Sequence, residues 1–197
     1  MLAIPHATPW HCTHGDGGGA KSGAAPAGPR SAIITAVQAK IKTLPELLVA
    51  LAPIRARGGR VALTNGVFDL LHVGHLRYLQ AARALADVLV VGLNADSTVR
   101  ELKGPTRPLL PEEERAELLA GLACVDFVVV FAERTAEALV AAIRPEVYVK
   151  GGDYAAQELP EAEIARACGG EVRLLPLTPG RSTSALVARI LRLHGCS

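Results

Sequence analysis

The chain has 197 residues, about one domain with some left over at roughly 150 residues per domain, which excludes a large multidomain enzyme. Its 21 Lys and Arg against 19 Asp and Glu leave a net charge of +2, without the basic excess that drives general nucleic-acid binding. Half the residues are hydrophobic, enough for a sizeable core, but apolar runs such as 88–91 and 127–131 fall well short of the roughly 18 residues of a membrane span. The expected partners therefore include neither nucleic acid nor membrane. Cys12, Cys124, Cys168 and Cys196 lack CxxC spacing, and two of them fall in segments that read as buried. This argues against a disulfide framework or a zinc site and fits a reducing cytoplasm.

Residues 1–30 are mostly Gly, Ala, Pro, Ser and Thr and read as a disordered tail or a misassigned start, since such a stretch cannot offset its ordering entropy by burial. Pro5, His6, Pro9, His11 and His14 interrupt any continuous apolar region of the kind a secretory signal needs. His11, Cys12 and His14 in this Gly-rich setting read as incidental rather than as a metal site.

Residues 31–59 read as an N-terminal helical segment. Thr43-Leu44-Pro45-Glu46 is a capping box with proline near the helix start, and it predicts a helix to about residue 57, stopped by Gly58-Gly59. A short buried strand over 60–64 comes next and ends at the turn pair Asn65-Gly66. Helices are then expected over 74–86, 111–123, 135–143, 158–167 and 182–193, alternating with strands over 88–93, 125–131, 146–150 and 171–175. Five short, almost wholly apolar strands alternating with helices predict a doubly wound, Rossmann-like parallel sheet in a single α/β domain. Its site belongs at the C-terminal strand ends.

Directly after the first strand the chain reads Asn65-Gly66-Val67-Phe68-Asp69-Leu70-Leu71-His72-Val73-Gly74-His75. GxGxxG and GxxxxGK[ST] are both absent, so neither a nicotinamide dehydrogenase nor a P-loop kinase is supported. Two histidines three apart, with Gly74 between them, sit instead at a predicted helix N-terminus, where free amides and the dipole favour anions. Gly74 would let a phosphate approach the backbone, and the imidazoles can donate to its oxygens. The alternative is that His72 is a loop residue and His75 a helix cap.

This segment resembles the GxFDxxHxGH signature of the nucleotidyltransferase superfamily that includes the cytidylyltransferases and the heptose-phosphate adenylyltransferases. Further pieces arrive in that superfamily's order: Leu102-Lys103-Gly104-Pro105-Thr106-Arg107-Pro108, Glu114-Arg115, Val149-Lys150-Gly151-Gly152-Asp153-Tyr154 and Gly180-Arg181-Ser182-Thr183-Ser184. The resemblance spans 43–193 and is strongest to the adenylyltransferases acting on D-glycero-D-manno-heptose 1-phosphate. It makes 60–195 the nucleotidyltransferase domain.

The resemblance implies that His72 and His75 contact the ATP phosphates and stabilise the transition state, with the backbone of Gly66, Val67 and Phe68 against the nucleotide. At Val67, where pantetheine-type relatives place a hydroxyl, only the backbone can reach phosphate. Asp69 orients the loop, holds Mg²⁺ through water, or caps; Mg²⁺ is otherwise expected on the ATP phosphates. Lys103 and Arg107, in a Gly/Pro-containing loop, suit a mobile cover for the triphosphate and the sugar phosphate. Arg115 is expected at the substrate, with a surface ion pair as the alternative. Gly152 and Asp153 are expected at the base or ribose, with a turn-forming Asp as the alternative. Ser182, Thr183 and Ser184 are expected as a second anion site, or Ser182 as a simple N-cap.

The implied function joins ATP and a heptose 1-phosphate to give ADP-heptose and pyrophosphate, in heptose supply for lipopolysaccharide. A separate sugar kinase would provide the substrate, because too few residues precede Thr43 to hold one. A homodimer is common among such relatives. Leu177 stands where cytidylyltransferases typically carry the arginine of RTEGIST, which disfavours CTP. Two alternatives stay open: a cytidylyltransferase for glycerol 3-phosphate or another small phospho-alcohol, and a non-catalytic nucleotide-binding regulatory module.

Overall fold

The computed structural model describes residues 29–152 and 159–195. The expected tail therefore lies outside the described residues, apart from Pro29 and Arg30, which open a helix. In chain order the elements are α1 (Pro29–Gln38), α2 (Leu44–Arg55), β1 (Val61–Gly66), α3 (Val73–Arg83), β2 (Val88–Asn94), α4 (Asp96–Lys103) and α5 (Glu112–Ala120). They continue with β3 (Phe127–Phe131), α6 (Glu137–Ile143), β4 (Val147–Gly151), α7 (Pro160–Ala167), β5 (Glu171–Leu175) and α8 (Thr183–His194).

The strands form one parallel sheet in the order β3-β2-β1-β4-β5, the expected Rossmann-like arrangement. The chain builds outward from β1 to β3 and then returns to place β4 on the other side of β1. The strand order therefore reverses between β1 and β4, the position where such sheets open a crevice at their C-terminal ends.

Alternation along the strands divides the core into two layers. Val61 and Leu63 face α2, α6 and α7 with Leu47, Leu51, Leu139, Val140 and Ile143. Ala62 and the next strands' Leu89, Val91 and Val149 face α3 and α5 with Leu79, Ala116 and Leu119. Burying each such leucine or isoleucine contributes about 1.5–3 kcal/mol, so sandwiching the sheet on both faces holds its strand ends rigidly. At α2 the carboxylate of Glu46 accepts from the Thr43 amide at 2.9 Å, the reach-back bond of the capping box, and also from the Thr43 hydroxyl at 2.8 Å.

Besides shifts of a few residues at helix ends, two strand boundaries and one helix differ from expectation. β1 runs on through Asn65 and Gly66, because both pair with Gly92 and Leu93 of β2 instead of turning. β3 begins at Phe127, since Asp126 spends its carboxylate on the Leu89 amide at 2.8 Å. α4 has no counterpart among the expected helices: of its eight residues only Thr98 and Val99 are buried, too few to mark an apolar period.

Among the described residues no helix is long and apolar enough to cross a membrane. Cys124 and Cys168 are free thiols, and Cys12 and Cys196 lie outside the described residues, as do His11 and His14.

Candidate active site

The loop from β1 into α3 carries an unusual backbone. Phe68 adopts φ 46°, a left-handed conformation that bulky side chains rarely take. Its ring folds back under Gly66, where a Cβ would lie 3.1 Å from the phenyl edge, so any side chain there would push the ring by a few tenths of an ångström. Folded this way, Phe68 is buried and meets the His75 ring edge-on, with centroids 5.3 Å apart.

His72 is the N-cap of α3. Its Nδ1 accepts from the amides of Gly74 and His75, at 3.1 and 3.4 Å, so hydrogen-bond geometry assigns the ring proton to Nε2. The sequence alternative had His75 as the cap, and the structure gives that role to His72. A Cβ on Gly74 would fall 2.9 Å from the His72 ring, so the glycine makes room for the imidazole rather than directly for a phosphate. The two imidazoles stack with centroids 3.9 Å apart.

His72 Nε2 and His75 Nδ1 are buried ring nitrogens with no hydrogen-bond partner among the described residues. Leaving such groups unsatisfied is costly, so a water or a ligand is needed to complete their hydrogen bonding. Burial, then the charge of Arg181, lowers the pKa of His72; burial, then the charges of His72 and Lys103, brings His75 down to about 4. Both rings are therefore neutral near pH 7 and act as N–H donors at the positive end of α3.

Asp69 ties this loop to the one after α4. Its Oδ2 accepts from Arg107 at 2.6 Å, and its Oδ1 accepts from the amides of Leu109 and Leu110 at 2.7 and 3.2 Å. Burial pushes its carboxyl up, but Arg107 and the two amides outweigh that and hold it below the usual carboxylate value. Of the alternatives for Asp69, the structure therefore shows the loop anchor. Arg107 lines the cavity tethered to Asp69, and Lys103 reaches the cavity as the last residue of α4, not from the loop.

Arg115 is a correction. Its side chain is 0% exposed and does not line the cavity. It donates to the carbonyls of Leu110, Val67 and Asn94 and pairs with Asp96 at 2.6 Å, fastening the two loops from behind. Only the Leu110 carbonyl is nearby in sequence, and nothing local reveals that acceptors from Val67, Asn94 and Asp96 also converge there.

On the far side of the switch point, Ser182 caps α8 by accepting from the Ala185 amide at 3.1 Å, and Ser184 lines the same cavity. Thr183 also lines it, and its hydroxyl lies 3.4 Å from the Leu70 carbonyl of the histidine loop. Gly152 donates its amide to Leu175 at 3.1 Å and stands just outside the lining, while Asp153 lies outside the described residues.

The cleft has a volume of about 550 Å³ and brings together Gly66, His72, His75, Lys103, Arg107 and Ser182–Ser184. Sequence reasoning missed Asn65, Tyr78, Lys150 and Arg181, which share this wall. Arg181 had a signal, a cation directly before a hydroxyl-rich helix start. Tyr78 had none: its phenol is raised to about 12, by burial, and hydrogen-bonds to Thr64 and to the Val149 carbonyl. Among the described residues no group of three His, Cys, Asp or Glu forms a metal site.

Comparison with known proteins decides among the classes that such a cavity allows. The cytidylyltransferase-like family model matches residues 63–188, from β1 into α8. The chain belongs to this family. It is a nucleotidyltransferase, and its relatives refine the class. The bifunctional protein HldE of Geobacter sulfurreducens is 49% identical over 157 residues, and that of Citrifermentans bemidjiense 51% over 152. These matches take in 80% and 77% of this chain but 32% and 31% of theirs, so the nucleotidyltransferase spans about a third of the length of these relatives. A lipopolysaccharide core biosynthesis protein from Thermoplasma volcanium has 31% identity and a TM-score of 0.51, over 61% of this chain and 98% of that one.

Proposed function

We propose that this nucleotidyltransferase transfers AMP from ATP to D-glycero-D-manno-heptose 1-phosphate, giving ADP-heptose and pyrophosphate. The observation that carries the reading is the stacked His72–His75 pair with two unpartnered ring nitrogens, in a cavity that also holds Lys103, Arg107 and the start of α8. The similarity to HldE proteins and to a lipopolysaccharide core biosynthesis protein supports a heptose substrate.

In this reaction an oxygen of the sugar phosphate attacks the α-phosphorus of ATP. The bond from that phosphorus to the pyrophosphate oxygen breaks, and the electron pair leaves with pyrophosphate. Such a transfer needs alignment and stabilisation of negative charge more than covalent help from the protein. His72 Nε2–H and the His75 ring donate to phosphate oxygens at the positive end of α3. Lys103 and Arg107 neutralise charge on the triphosphate and sugar phosphate, and Ser182, Thr183 and Ser184 hold a second phosphate position. Leu177, apolar in the cavity wall, favours ATP over CTP in this reading.

Mg²⁺ belongs to this proposal as part of the MgATP substrate. Asp69 lines the cavity, but three of its acceptor sites are taken by Arg107, Leu109 and Leu110, which leaves Oδ2 room for at most a water-mediated contact to the ion, and no step is routed through it. A sugar kinase supplies the heptose 1-phosphate.

The test is pyrophosphate release by the purified protein with Mg²⁺, crossing ATP and CTP with both anomers of heptose 1-phosphate, glucose 1-phosphate and glycerol 3-phosphate. Release with ATP and one heptose anomer is expected. Release only with CTP would make it a cytidylyltransferase, and ATP binding without turnover in any combination would make it a regulatory module.

A further inference from the structure

We infer that Asn65 is a substrate-binding residue, its side-chain amide locked by Tyr148, Lys150 and Glu161 so that the NH₂ group faces the cavity as a fixed pair of donors. The inference rests on the adenylyltransferase reading and adds a contact which that reading does not contain.

Asn65 stands at the end of β1 beside the end of β4, on the two strands that flank the switch point. Its Oδ1 accepts from the Tyr148 hydroxyl at 2.6 Å and from Lys150 Nζ at 3.1 Å. An ammonium has no acceptor capacity, so the reverse orientation would set the amide NH₂ against a donor. Lys150 therefore decides which end of the amide turns inward.

Lys150 is itself fixed. It donates to Glu161 Oε1 at 2.9 Å, and the Tyr148 hydroxyl lies 3.2 Å from the same oxygen. Tyr148 is fully buried and Glu161 nearly so, and Gly92 leaves the Asn65 side chain just enough room, since a Cβ there would lie 3.2 Å from that of Asn65. The carboxyl of Glu161 is pushed up by burial but held below its ordinary value by Lys150, so this carboxylate stays ionised beside the ammonium.

With Oδ1 committed, the amide nitrogen has no partner among the described residues, and Asn65 lines the cavity together with Lys150. Because Glu161 balances the charge of Lys150, this part of the wall offers neutral donors, unlike the cationic Lys103. Neutral donors suit an uncharged acceptor atom, either a hydroxyl oxygen of the sugar or an acceptor of the nucleoside.

Asn65→Asp keeps an oxygen for Tyr148 and Lys150 but removes the donors and adds a negative charge, so Asn65→Leu, which removes the donors without adding charge, is measured beside it and must raise the same KM. The expected result is a rise of about tenfold or more in the KM of one substrate, with kcat within about threefold and the other KM unchanged. Which KM rises tells whether the sugar phosphate or ATP supplies the acceptor. Tyr148→Phe, which loosens the amide, is expected to raise the same KM by a smaller factor; an unchanged value would remove Tyr148 from the positioning set. If both KM values of Asn65→Asp stay within twofold of the parent enzyme, the inference is overturned, whatever happens to kcat. An independent arm uses the unmodified protein: the Asn65 side-chain NH₂ resonances should shift on saturation with ATP or with heptose 1-phosphate, and no shift with either overturns it. Absence of turnover by the unmodified enzyme would sink the adenylyltransferase reading instead, and the resonance titration still decides the role of Asn65.

Discussion

The imidazole of His72 lies flat against that of His75, with ring planes 16° apart, while its Nδ1 accepts the amides that begin α3. One side chain thus caps the helix and presents an N–H from its other nitrogen. This double use works only while His72 is neutral, because an imidazolium has no lone pair for the cap.

The pair therefore makes stability depend on pH. In the unfolded chain both histidines titrate near 6.5; in the folded protein both are lowered, His75 to about 4. Between those values the unfolded state binds more protons, so this contribution is fully present above about pH 6.5 and is lost as pH falls toward about 4. Urea unfolding at pH 7.5, 6 and 5 should give falling midpoints, and a His72→Gln, His75→Gln double variant should flatten the trend. The buried carboxylates Asp69 and Glu161, with lowered pKa values, lose their contributions at more acidic pH, below about 4.5.

His75→Ala should leave the fold intact and reduce turnover by a factor on the order of 10² or more, the usual cost of removing a donor to developing charge. His72→Ala should reduce turnover comparably and also destabilise the protein by about 1 kcal/mol through loss of the cap. Steady-state kinetics beside thermal melts separates the two effects. Near-normal turnover by His75→Ala would take it out of the catalytic set.

Gly74→Ala places a methyl 2.9 Å from the His72 ring. Alanine is the better helix former by about 1 kcal/mol, so propensity alone predicts a more stable protein. The structure predicts the opposite for function: the imidazole is displaced, and kcat/KM should fall by at least about tenfold. A fully active variant would show that His72 need not occupy this position.

Arg115→Ala should be among the most destabilising single changes, about 3–5 kcal/mol, because it removes a donor from three carbonyls and leaves Asp96 with only the longer 4.0 Å ion pair to Arg100. Its substrate KM values, measured at low temperature where the variant remains folded, should change less than those of Lys103→Ala. A selective rise in one KM with normal stability would restore Arg115 to the substrate.

Periodicity and punctuation were enough to establish the alternating α/β pattern and the parallel sheet. Apolar strands, the Thr43 capping box and the glycine stops act over a few residues and are written consecutively. The β1–α3 loop was legible as a candidate site for the same reason: two histidines and a glycine follow one another at a strand-to-helix turn, and both rings line the cavity.

Only the tertiary structure decided the division of labour among polar residues. Arg115 and Asp69 read as candidates for ligands, yet the fold spends them on backbone groups tens of residues away in sequence. Conversely, Asn65 and Lys150 read as a turn residue and part of a strand end, and they meet because β1 and β4 are neighbours in the sheet while 85 positions apart in the chain. Whether a polar side chain faces substrate or scaffold depends on which acceptors converge on it. That convergence is set by strand order and loop packing, which local sequence does not encode.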